Sequence, residues 1–204
     1  AGPPNYICDF FIMSNIFAMV TLKSSHIYTE YALKSFFKNT ALDDQDEFLL
    51  IDNDGCQIDK LSYSKKIQII KNQSPLSFAE NVNQVITKAI KNKKNLIFLN
   101  NDIIFTKNWF EPLKINSDNI SIPLNNQIFS YQSDCGNLKL QPTMTLKDFG
   151  ENYILLNDII EKHKKKFTPN QKFQGLLMPF FCFKIPYKIM NDVIDIFDAK
   201  VVNF

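Results

Sequence analysis

Three short polar clusters in this 204-residue chain each follow an apolar run: Ser14-Asn15, Asp52-Asn53-Asp54 and Asn100-Asn101-Asp102. Their side chains set the chemistry open to them. Carboxylates and carboxamides exchange hydrogen bonds with hydroxyl-rich ligands, and a fixed carboxylate such as Asp102 ligates a hard divalent cation through oxygen. The plainer reading of Asn100-Asn101-Asp102 is a turn, which Asn and Asp also favour. Rival chemistries are poorly supplied. Only His26 and His163 could act as the base of a nucleophilic triad, and both read as surface histidines. The cysteines, Cys8, Cys56, Cys135 and Cys182, lack the short spacing of a zinc or redox pair, and no H-x-x-x-H pattern occurs. Five glycines form neither a G-x-G-x-x-G turn nor a P-loop, which argues against a dinucleotide enzyme or a P-loop kinase.

The clusters need a scaffold that brings them together, and the hydrophobic pattern supplies one. Residues 96–99 are apolar without alternation, the mark of a strand buried on both faces that delivers Asn100, Asn101 and Asp102 at its C-terminal end. Residues 9–13 read as a first strand leaving through Ser14-Asn15, followed by a loop over 16–28 and a helix from an N-cap at Thr29 to about Asn39. Strands over 48–51 and 67–70 come next. Ser77 then caps a helix with apolar positions Phe78, Val82, Val85, Ile86, Ala89 and Ile90, and Glu80 completes a capping box. This alternation predicts an α/β fold: a mostly parallel open sheet with helices on both faces and right-handed crossovers. In such a sheet the C-terminal strand ends lie side by side, so the three clusters are expected to share one crevice.

Beyond Asp102 the pattern predicts a short helix over 108–114, strands over 120–122 and 127–131, a helix over 153–163, a strand over 176–183 and a helix over 187–197. Setting aside a floppy lead (1–5), residues 6–204 read as one domain, with a ligand-binding half at 6–115 and a second half at 116–204. Hydrophobic residues at 45% and charged residues at 22% are globular values. Despite 19 phenylalanines, no apolar run approaches the roughly 20 residues of a spanning helix, since 10–22 is broken by Ser14, Asn15 and Thr21. A net charge of +2 gives no basic stripe for nucleic acid. The run Lys162, Lys164, Lys165 and Lys166 around His163 reads as a solvated helix end, with a patch for an anionic membrane as the alternative. Scattered cysteines and no secretory leader place the expectation in the cytoplasm, peripheral to a membrane if that basic run is used.

A crevice lined by Asp and Asn suits a nucleotide-sugar better than a bare sugar: the polar groups meet ribose and base edges, and a cation at Asp102 offsets a diphosphate. Here a resemblance enters. The stretch SFAENVNQVITKAIKNKKNLIFLNNDIIFTKNWFEPL (77–113) resembles the signature of family 2 glycosyltransferases of GT-A fold, in which a helix carrying an asparagine precedes an apolar strand and a D-x-D-like triplet. FLLIDNDG (48–55) and FFIMSN (10–15) are similar to the family's second and first strands. The stretch LLMPFFCFKIPYKIMNDVIDIFDAKV looks like its acceptor-side segment with a Phe-Asp pair, Phe197-Asp198.

The resemblance implies an inverting glycosyltransferase with a UDP-linked donor and an acceptor hydroxyl on a glycan, lipid or protein. It implies Asp52 for base recognition, Asn83 lining the donor pocket, Asn101 for ribose contact, Asp102 for Mn²⁺ or Mg²⁺, and Ser14 as a further donor-site candidate. Departures are the Asn-Asn-Asp triplet, a long 16–28 loop, and no Glu-Asp pair for the acceptor-side general base. The last implies a C-terminally incomplete domain, or a catalytically silent domain that binds a nucleotide-sugar or a partner. A nucleotidyltransferase would share the fold but would want a Gly-rich basic loop. Phenylalanine near the C-terminus is read as apolar surface that a further segment or a second copy, in a homo-oligomer, would cover.

Overall fold

Unalternating apolar runs become the interior strands of a sheet. The computed structural model describes residues 13–55, 67–115, 118–123, 161 and 181–194. Its strands are β1 (Asn15–Thr21), β2 (Glu47–Asp52), β3 (Ile67–Lys71), β4 (Asn95–Leu99) and β5 (Cys182–Ile185). They form one sheet in the order β3-β2-β1-β4-β5. The first four are mutually parallel and β5 runs antiparallel to β4, so the expectation of a mostly parallel α/β sheet holds. The helices are α1 (His26–Asn39), α2 (Phe78–Lys91), the short α3 (Glu111–Ile115) and α4 (Tyr187–Ile194).

Residues on successive positions of β1 feed opposite faces, as the two-residue period of a strand requires. Phe17 and Met19 join Phe48, Leu50, Ile97 and Leu99 under α1, with Leu33, Phe36, Phe105, Phe110 and Leu113. Ile16 and Ala18 join Leu49, Ile51, Leu96, Phe98 and Phe183 under α2 and α4, through Val85, Ala89 and Met190. Much of the phenylalanine excess is spent in the first of these cores. Phe36 alone meets Phe17, Phe48 and Phe105 edge-on, with ring centroids 5.1, 4.8 and 5.3 Å away. Among the described residues no helix is long and apolar enough to cross a membrane.

The Ser77 box forms as its spacing predicts. The Ser77 hydroxyl accepts from the Glu80 N–H, and the Glu80 carboxylate accepts from the Ser77 N–H at 2.7 Å. Those bonds hold the Glu80 carboxyl below the usual range. The strands over 48–51, 67–70 and 96–99 are present with one or two residues added. The short helix over 108–114 is confined to α3, with the buried Phe110 and the half-buried Trp109 ahead of it. Around 120–122 the chain makes only a single bridge, Ser121 to Lys184.

Three expectations are corrected. Among the described residues the first strand is Asn15–Thr21, with Ser14-Asn15 at its start; residues 9–12 of the strand expected over 9–13 lie outside the described residues. The supposed long loop over 16–28 is this strand, a 3-10 turn at Lys23–Ser25 and the first turn of α1. Thr29 is accordingly no N-cap but a fully buried residue inside α1. Residues 15–21 pair with β2 and β4, which makes this run a strand of the sheet and not a loop. The acceptor-side strand, expected over 176–183, is Cys182–Ile185 within the described residues. Residues 127–131, 153–160, 162–166 and Phe197-Asp198 lie outside the described residues.

At its true location Asn15 serves the N-terminal edge. Its backbone N–H and side-chain amide both donate to Asp46 Oδ1, at 2.8 and 3.0 Å, and Asn95 Nδ2 donates to Asn15 Oδ1. Asn95 Oδ1 in turn accepts from the Tyr187 N–H at the start of α4. The same edge carries Glu47. Burial raises its carboxyl, but ion pairs with Lys94 (2.7 Å) and Lys88 (3.5 Å) outweigh that and hold it below the usual range.

Candidate functional site

The chain moves outward from β1 to β2 and β3, then crosses back through α2 to place β4 on the other side of β1. The C-terminal ends of β1 and β4 therefore border a topological switch point, where open α/β sheets leave a crevice between diverging connections. Thr21, Lys23 and Ser25 stand on its β1 side, Asn100, Asn101 and Asp102 on its β4 side, and Asp52, Asn53 and Asp54 at the neighbouring β2 end.

Hydrogen bonds latch these ends together. The Asn53 N–H donates to the Thr21 carbonyl at 3.1 Å, and the Lys23 N–H donates to Asp54 Oδ1 at 2.8 Å. Gly55 turns the chain with φ +77°, and a side chain there would begin 3.8 Å from the Lys23 ammonium. On the other side Asn101 Nδ2 donates to Ser25 Oγ at 2.7 Å and to Thr29 Oγ1 at 3.0 Å. Thr29 Oγ1 lies 2.7 Å from Thr21 Oγ1, so buried hydroxyls connect the ends of β1 and β4. The Asn100 N–H donates to the Phe181 carbonyl at 2.8 Å.

The sequence-predicted residues divide. Asp52 ends β2 in register with Thr21 and is 1% exposed, at the edge the sequence assigned it. Asn101 and Asp102 reach the switch point, and Asp102 is exposed there with no polar partner among the described residues. Ser14 is at the opposite edge of the sheet, where its carbonyl accepts from the Asn95 N–H. That placement removes it from the crevice. Asn83 is half-buried on α2, and its carbonyl accepts from Thr87 Oγ1. The helix asparagine that reaches the β2 end is instead the buried Asn81.

Asn81 belongs to an amide cluster the sequence reading missed. Asn53 Oδ1 accepts from Asn72 Nδ2 (2.8 Å), the Leu76 N–H (2.9 Å) and Asn81 Nδ2 (3.2 Å). Asn53 Nδ2 donates to the Leu76 carbonyl, and Gln84 Nε2 donates to Asn81 Oδ1. The cluster pins the β3–α2 connection against the residue after Asp52. Lys23, Ser25 and Thr29 were missed for another reason: they follow a strand, Asn15–Thr21, that the sequence reading took for part of a loop.

Among the described residues no group of three or more His, Cys, Asp and Glu side chains is close enough to hold a metal ion. Asp102 by itself is a hard oxygen donor open to solvent. It fits a cation that takes most of its remaining ligands from phosphate oxygens and water.

No protein-family model matches the sequence. No curated protein matches it either. Among solved structures the chain is similar to a crystal structure of GalNAc-T7 with UDP, GalNAc and Mn²⁺, at 18% identity and a TM-score of 0.44 over 52% of this chain and 21% of that one. It is similar to galactosyltransferase LgtC in complex with donor and acceptor sugar analogs, at 12% identity and a TM-score of 0.34 over 76% of this chain and 66% of that one. A third similarity is to 4-diphosphocytidyl-2C-methyl-D-erythritol synthase, at 16% identity and a TM-score of 0.34 over 44% and 46% of the two chains. The chain thus spans about a fifth of the matched GalNAc-T7 chain.

Proposed function

We propose that the protein is a GT-A-like, family 2-like glycosyltransferase that takes a sugar from a UDP-linked donor and passes it, with inversion, to an acceptor hydroxyl. The observation that carries this reading is the meeting of the Asp52 end of β2 and the Asn101-Asp102 end of β4 on either side of the β1 exit. The 77–113 resemblance supports it, because α2 and β4 fall where that stretch requires a helix and an apolar strand.

In this reading the nucleoside lies along the β1 and β2 ends and the diphosphate extends toward Asp102; Asp52, 1% exposed, would accept from the base once the residues over it shift. Asp102 would hold Mn²⁺ or Mg²⁺, and the bound cation would offset the charge that develops on the departing diphosphate. Asn101 Oδ1, the amide atom not engaged with Ser25 and Thr29, is the one left to accept from a ribose hydroxyl. Lys23 adds a flexible cation at the same edge. The general base is left unassigned.

The test is UDP release from a panel of UDP-sugars with Mn²⁺ or Mg²⁺ present, followed enzymatically. Slow, metal-dependent release from one donor, abolished in Asp102→Ala, is the expected result. Binding of UDP-sugars without any release would favour a silent nucleotide-sugar-binding domain, and neither binding nor release would remove the donor site altogether.

A further inference from the structure

Asp102 is exposed, yet the two residues before it are anchored in opposite directions. Asn100 is tied through its N–H to the Phe181 carbonyl on the β5 side, and Asn101 through its side chain to Ser25 and Thr29 on the β1–α1 side. The hydroxyls that receive Asn101 each have a backbone carbonyl within reach of their own proton. Thr29 Oγ1 donates to the Ser25 carbonyl at 3.2 Å, and Ser25 Oγ donates to the Leu22 carbonyl at 3.3 Å. A hydroxyl has one proton and two lone pairs. Thr29 Oγ1 thus accepts from Asn101 Nδ2 while its own proton goes to either the Ser25 carbonyl or Thr21 Oγ1, and each amide proton of Asn101 has an acceptor.

We propose that Asn101 is a positioning residue for Asp102: its carboxamide, donating to the Ser25 and Thr29 hydroxyls, fixes the main chain that presents the carboxylate at the switch point. The inference rests on the donor-site reading for the role of Asp102, but the polarity of the brace stands on its own. It also explains why the middle of the Asn-Asn-Asp triplet is an amide. An aspartate at 101 would be satisfied only if both hydroxyls turn their protons to it and give up the Leu22 and Ser25 carbonyls, and it would bring a charge into a half-buried place. Simple charge counting says the reverse, that a second carboxylate beside Asp102 would strengthen cation binding.

Two measurements decide it. In urea unfolding without ligand, Asn101→Ala is expected to lower the midpoint, and that penalty should shrink in a Thr29→Val background, where a hydroxyl that Asn101 donates to is already gone. Equal penalties in both backgrounds, or no penalty, would overturn the brace. In calorimetric titration with UDP over a series of Mn²⁺ concentrations, Asn101→Asp and Asn101→Ala are each expected to need roughly ten- to hundredfold more Mn²⁺ for the metal-dependent gain in affinity, the usual effect of removing a group that orients a metal ligand, whereas loss of a ribose contact alone would lower UDP affinity equally with and without the metal. Unchanged or tighter binding by Asn101→Asp would overturn the positioning role. A wild-type protein that shows no Mn²⁺-dependent UDP binding would instead overturn the donor-site reading, and with it the role given to Asp102, whatever the unfolding result.

Discussion

Asn53 shows how a single amide can organise an edge. Its oxygen takes three donors and its nitrogen gives one bond to the Leu76 carbonyl, at 6% exposure. Replacing it by alanine strands the Leu76 N–H, while the Asn72 and Asn81 amides keep their other acceptors, so Asn53→Ala should cost about 1–2 kcal/mol in urea unfolding. Asn83→Ala, on the half-buried flank of α2, should change stability by less than about 0.5 kcal/mol. Lys184 gives a pH-dependent prediction. Its ammonium is buried and donates to the Leu113 carbonyl at 2.6 Å, and burial pushes its pKa down from 10.5 to about 8. Between those values the unfolded chain holds the proton and the folded one does not, so this group adds stability as pH rises through the window. Thermal melts from pH 7.5 to 10.5 should show that rise in the wild type relative to Lys184→Met. Parallel curves for the two proteins would show that the ammonium is not desolvated.

At the scale of elements, α2 was the most legible part of the chain. Ser77, Glu80 and an apolar stripe at spacings of three and four state its start and its buried face locally, and the structure adds only that Asn81 turns toward Asn53. Ser77→Ala should lower stability by about 1 kcal/mol, read as a shift in the urea midpoint without change of slope. The first strand was illegible for a physical reason. Residues 9–13 and 16–20 are both apolar, and Ser14-Asn15 between them looks the same as a strand exit or a strand start. Partner strands decide between the two: Asn15 bonds to Asp46 and Asn95 across the sheet's N-terminal edge, contacts that no local window contains. The useful local signal was Thr21-Leu22-Lys23-Ser24-Ser25, a turn-like stretch just ahead of the α1 periodicity.

Across the whole molecule, strand, helix, strand, strand, helix, strand was enough to predict a mostly parallel sheet, because unalternating apolar runs require cover on both faces. Two of the three strand ends that meet at the switch point were legible. Asp52 and Asp102 end strands that were correctly placed, whereas Ser14 inherited the misplaced first strand and the hydroxyl chain of Thr21, Thr29 and Ser25 went unread. Both cores meet in the central strands β1 and β4, so loss of a central ring should be felt globally. Phe36→Ala, which removes a fully buried ring from the α1 face, should cost about 3–5 kcal/mol in two-state unfolding. The claim on which function turns is that this sheet edge binds a nucleotide through Asp102. Calorimetric titration with UDP, with and without Mn²⁺, on the wild type and on Asp102→Ala, tests it most directly. Binding that needs the metal and is lost in the variant is the predicted result; no binding under any metal condition, or equal binding by the variant, would contradict it.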